Sequence, residues 1–131
     1  MATLYCDSKG DRRFSALYAV VKLSGGTTTT IERYYQSVKR KADGTHARKG
    51  EHVDHIVIHD KTYPATYLTP LYRKLWIMYF QQNPELLEYA MQFDTFVDRF
   101  AGRAINTQAK VIEALVNKKR SAMSARKGES Q

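Results

Sequence analysis

The densest set of chemistry-bearing side chains lies in Thr29-x-x-Glu32-x-Tyr34-Tyr35-Gln36-x-x-Lys39. On a helix, residues three and four apart are neighbours, so Glu32, Tyr35 or Gln36, and Lys39 share a face. A carboxylate, an aromatic platform and a cation arranged in this way make a candidate nucleotide site. The same residues also spell a capping box, in which Glu32 bonds back to Thr29 as N-cap and the tyrosines are core. Spacing alone favours capping.

Other constellations are weaker. His52, His55 and His59 fall close together, and His55 and His59 share a strand face, but no zinc spacing accompanies them, so no metal is expected. A solvated hairpin face that gains charge as pH falls through ~6.5 is the simpler reading. Neither a phosphate-binding glycine loop, a dinucleotide fingerprint nor a nucleophile elbow occurs. Cys6 has no local activator and reads as a structural thiol.

A chain of 131 residues fits one domain. With 43% hydrophobic and 26% charged residues it has the composition of a folded protein. Its net charge of +8 points to a polyanion. Much of the excess sits in Lys39-Arg40-Lys41 with Arg48-Lys49, and in Lys118-Lys119-Arg120 with Arg126-Lys127; solubility is the plainer alternative for both. A single cysteine and the lack of an apolar signal segment favour the reducing cytoplasm. The longest apolar run, Leu75 to Phe80, falls well short of the ~20 residues of a membrane span.

The elements that must position these residues read as an α+β fold: a small antiparallel sheet from the N-terminal half, packed by helices, and a mostly helical C-terminal half. Short strands are expected over Thr3 to Cys6 and Phe14 to Leu23, then a helix from about Thr30 to Lys41. Residues 42–52 read as a mobile basic loop, and Val53 to His59 with Thr62 to Ala65 as a hairpin turning at Asp60-Lys61. Thr69 and Pro70 open a helix that Asn83-Pro84 ends, and a second helix covers Pro84 to Phe93. Asp94 to Ala101 reads as one short helix closed by Gly102. Asn106 caps a last helix carrying Ala109, Ile112 and Val116 on one stripe. One domain over 1–118 and a frayed basic tail over 119–131 complete the expectation.

Phe14-Ser15-x-Leu17-Tyr18, followed by Thr30-Ile31-Glu32-x-Tyr34-Tyr35-Gln36-x-x-Lys39, resembles the opening of the NADAR (YbiA-like) family. Tyr79-Phe80-Gln81-Gln82-Asn83-Pro84-Glu85-Leu86 and Gly102 to Asn106 are similar to its later segments. The chain departs from the family at Ala16, where the motif carries asparagine, over the basic loop and hairpin at 42–65, and over Asp94 to Phe100, where a tryptophan-glycine stretch is missing.

The resemblance implies an N-glycosidase acting on a ribosylated base, or on an ADP-ribosyl nucleotide or nucleic acid, without a cofactor. Glu32 would stabilise or activate at the sugar C1, with Asp98 or Asp94 as a second carboxylate, although helix capping is the first reading for both aspartates. Tyr18 or Tyr35 would stack on the base, and Lys39 with Arg13 or Arg33 would meet phosphates. Asn106 would help hold an anion at a helix N-terminus, and Phe14 and Gln36 belong to the same substrate motifs. A nucleotide-sequestering protein without catalysis, and a basic nucleic-acid binder, are the competing readings. Oligomeric state is left open.

Overall fold

The computed structural model describes residues 2–100 and 107–129, with side chains described through residue 125. Strand β1 (Thr3–Tyr5) pairs in parallel with β7 (Thr95–Val97), setting buried Leu4 opposite buried Phe96. A 3-10 turn over Arg12–Phe14 follows, begun by Asp11, whose carboxylate accepts from the Arg13 backbone N–H. It drops Phe14 into the core, with its ring 6.2 Å from Phe80 and 6.0 Å from Tyr89.

The strand expected over Phe14 to Leu23 is only β2 (Val20–Lys22), antiparallel to β3 (Thr28–Thr30). Residues 15–19 turn instead, because the Tyr18 and Ala19 N–H groups both return to the Ser15 carbonyl. β2, which buries Val21, is further held by the amide of Gln82, which accepts from Lys22 N–H at 2.8 Å and donates to Lys22 C=O at 2.7 Å.

Helix α1 covers Ile31–Ser37, four residues short of the expected end at Lys41. Lys39 and Arg40 form strand β4, which pairs with β5 (His55–Ile58), and β5 pairs with β6 (Lys61–Pro64). Sheet pairing outweighs local helix preference here, since Val38 is buried and Ile56 fully enclosed. The hairpin forms as expected, but its turn is His59-Asp60, both at positive φ (48° and 65°), the geometry of a two-residue primed turn. The basic loop is stitched down: Ala47 is fully buried and donates to the Lys39 carbonyl, and His46 Nε2 lies 2.9 Å from the Gln36 carbonyl oxygen.

Helix α2 (Leu68–Gln82) is the centre of the core. It buries Leu71, Tyr72, Leu75, Trp76, Tyr79 and Phe80 on one side, each apolar side chain contributing ~1.5–3 kcal/mol. The helix begins one residue before Thr69, continuing directly from a 3-10 turn at Ala65–Tyr67. Helix α3 (Pro84–Ala90) starts at the expected proline. Residues 95–97 are strand β7 rather than part of a helix, because pairing with β1 captures them.

Helix α4 (Gln108–Glu129) buries Ala109, Ile112, Leu115 and Val116 on the anticipated stripe. Its helical backbone continues through Glu129, so the tail expected from residue 119 is an extension of α4. Arg120 pins that extension by donating to the Met91 and Phe93 carbonyls at 2.5 and 2.7 Å. The fold is α+β as expected, with the parallel β1–β7 pair as an unforeseen addition.

Candidate active site

The turn at residues 15–19 underlies α1. The Ile31 N–H donates to the Ala19 carbonyl at 2.9 Å and the Glu32 N–H to the Ala16 carbonyl at 3.0 Å. Thr30, and not Thr29, is the N-cap, its hydroxyl accepting from Arg33 N–H at 3.2 Å. Glu32 therefore sits second in the helix and forms no capping box. Its Oε1 accepts from Gln36 Nε2 at 2.8 Å, while Oε2 takes no hydrogen bond among the described residues.

Glu32 lines a cleft of about 260 Å³. Asp98, immediately after β7, lines the same cleft, together with Asp7, Ser15, Lys49 and Tyr72. Asp98 is fully committed: Oδ1 accepts from the Phe100 N–H at 3.0 Å and Oδ2 from Gln108 Nε2 at 2.9 Å. The other end of the Gln108 amide accepts from the Ala16 N–H at 2.6 Å. A continuous run of hydrogen bonds thus ties Glu32 to Ala16, Ala16 to Gln108 and Gln108 to Asp98. The Glu32 backbone and the Asp98 carboxylate are both tied to Ala16, and of the two carboxylates only that of Glu32 keeps an oxygen without a hydrogen bond among the described residues.

Asp7 supports the same wall from behind. Its carboxylate is 1% exposed and accepts two hydrogen bonds at 2.9 Å from Arg99, whose guanidinium also lies over the Tyr5 ring. These bonds hold its pKa down to about 2. The loop from Asp7 to Asp11 requires Gly10, where a Cβ would collide with the Tyr5 carbonyl and Cβ. Cys6, beside it, is fully enclosed, and burial pushes its thiol up to about 12, which fits a structural role.

Of the residues expected at a site, Glu32 and Asp98 meet in the cleft, and Gln36 holds Glu32 without lining it. Tyr35 and Lys39 form a layer beside it: the Tyr35 ring lies 5.0 Å from Tyr72, and Lys39 Nζ 4.5 Å above Tyr35. Burial lowers the Lys39 pKa, opposed by the Glu32 charge and reinforced by repulsion from Lys49. Lys49 lines the cleft and Lys39 does not.

Four of the expected residues do not line the cleft. Phe14 has no exposed surface and is core. Tyr18 is exposed outside the cleft, under the Arg12 guanidinium at 4.7 Å. Arg33 is exposed on α1 and does not line the cleft. Arg13 is taken by Asp11 at 2.7 Å and by the Tyr89 ring. Asn106 lies outside the described residues. Asp94 lies exposed at the start of β7, its N–H donating to the Ala2 carbonyl.

Sequence reasoning missed Ser15, Lys49, Tyr72, Phe100 and Gln108, which long-range packing alone brings to the cleft. Ser15 lies inside the Phe14-to-Tyr18 motif, and its buried hydroxyl has no hydrogen-bond partner among the described residues. Among the described residues no three histidine, cysteine or acidic side chains are grouped to hold a metal ion, and no helix is long and apolar enough to cross a membrane. No family model matches the chain, and no curated protein matches it.

Proposed function

We propose that the protein is an N-glycoside hydrolase that cleaves the bond between ribose and a nitrogenous base, in a ribosylated base or an ADP-ribosyl nucleotide or nucleic acid. The observation that carries this reading is Glu32: a carboxylate with one oxygen uncommitted among the described residues, on a cleft shared with a second, fixed carboxylate. The cleft is slightly smaller than the ~300–1,000 Å³ of drug-sized sites. It suits a sugar ring, with the rest of the ligand at the mouth.

Cleavage builds positive charge at the ribose C1 and O4. Glu32 Oε2 stabilises that charge or takes a proton from the attacking water, and the new C–O bond replaces the C–N bond. The base departs with the bonding electron pair and collects a proton. Asp98, held by two donors, contributes fixed negative charge beside the same centre. Lys39 and Lys49 supply cations for a phosphate attached to the sugar.

The test is release of free base from ADP-ribosylated guanine nucleic acid or from ribosylated bases. Glu32→Gln, which keeps the contact with Gln36, is expected to reduce turnover by ~10²–10⁴-fold with folding intact. Undiminished release in that variant removes the mechanism. The commitment of both Asp98 oxygens favours a second reading, a nucleotide-sequestering protein; calorimetry showing tight binding and no product would select it.

A further inference from the structure

Two large apolar side chains at the cleft stand in water. Phe100 is 60% exposed and Leu17 55% exposed, and both line the same cavity as Glu32 and Asp98. They come from separate parts of the fold, Leu17 from the turn beneath α1 and Phe100 from the segment after β7. The backbone leading into Phe100 is held from its amino-terminal side. Asp98 is held by Gln108, Arg99 is locked to Asp7, and the Phe100 N–H is bonded to Asp98. Only the ring is left open, with the Lys9 ammonium 5.8 Å from its centroid. An apolar ring kept exposed on a backbone tied to the cleft's own carboxylate is a preorganised contact for a flat apolar ligand face.

Resting on the glycosidase reading, we infer that Phe100, with Leu17, is the platform for the leaving base, and that the ligand class is therefore a planar nucleobase stacked at the cleft mouth. Phe100 stands two residues from Asp98, so a base on its ring stays close to a sugar held at the carboxylates. Stacking accepts any aromatic ring face, which makes Phe100 select for a base over a base-free sugar phosphate. The role expected of Tyr18 or Tyr35 passes to Phe100, since neither tyrosine lines the cavity.

The experiment compares guanosine 5′-monophosphate with ribose 5-phosphate by calorimetry. The wild type is expected to bind the nucleotide at least about tenfold more tightly, because stacking is worth ~1–3 kcal/mol per base. Phe100→Ala should erase most of that preference and leave ribose 5-phosphate binding and Tm unchanged, and Phe100→Trp should restore it. Equal affinity for the two probes in the wild type, or a preference that survives Phe100→Ala, overturns the platform. If base release persists in Phe100→Ala with unchanged KM, this inference fails and the glycosidase reading stands. If Phe100-dependent binding holds but the wild type releases no base, the platform stands and the glycosidase reading fails. Absence of nucleotide binding overturns both.

Discussion

Gln108 donates to Asp98 Oδ2 at 2.9 Å while accepting from the Ala16 N–H at 2.6 Å, so one amide at the start of α4 joins the β7 end to the turn under α1. Gln108→Ala leaves a part-buried N–H and a carboxylate oxygen unpaired, and should cost about 1–3 kcal/mol in urea unfolding. Gln108→Glu keeps the acceptor but sets a second carboxylate against Asp98. Its deficit should exceed that of Gln108→Ala, because two like charges are brought together. A deficit no larger than the alanine variant's would argue against the pairing.

Asp7 links acid stability to the β1–β7 region. Its folded pKa, about 2, lies below the ordinary value of 3.8. The stability it contributes is complete above ~4 and is lost as pH falls from ~4 through ~2. Asp7→Asn should cost about 1–3 kcal/mol at pH 7, and the difference from wild type should shrink across that window. Circular dichroism of both proteins between pH 7 and pH 2 measures it.

Gly10 serves close approach rather than turn conformation. Gly10→Ala places a methyl on the Tyr5 backbone and should destabilise the fold by about 1–3 kcal/mol, read by thermal denaturation. Because the shift would move Asp7 and Ser8, which line the cleft, ligand affinity should fall with it.

The β5–β6 turn offers the opposite sign. Asp60 is held at φ 65°, a region where glycine has no steric penalty. Asp60→Gly should raise stability by roughly 0.5–1 kcal/mol without touching the cleft. A fall in Tm would contradict the turn geometry.

What was legible in the sequence follows from locality. The α3 start at Pro84, the α4 stripe of Ala109, Ile112 and Val116, and the β5–β6 hairpin depend on residues within one element or one turn. Failures came where distant segments compete for the backbone. Lys39 and Arg40 left the helix to pair with β5, and Thr95–Val97 became strand because β1 lay alongside. The site divides likewise: Glu32 could be read from its helix, whereas Ser15, Phe100 and Gln108 enter the cleft through contacts spanning much of the chain. Phe14, a motif residue, was claimed by the core because its ring packs on Phe80 and Tyr89.

The alignment of β1 beside β7 has a meaning for biosynthesis. Leu4 leaves the ribosome well before its partner Phe96, and Gln108 follows later still. At ~5–20 residues per second, the amino-terminal segment waits several seconds without a strand to join. The helices can gather around Trp76 in that interval, but the hollow holding Glu32 closes only when Asp98 and Gln108 arrive. Nascent chains stalled before residue 95 would carry the glutamate and no cavity to put it in.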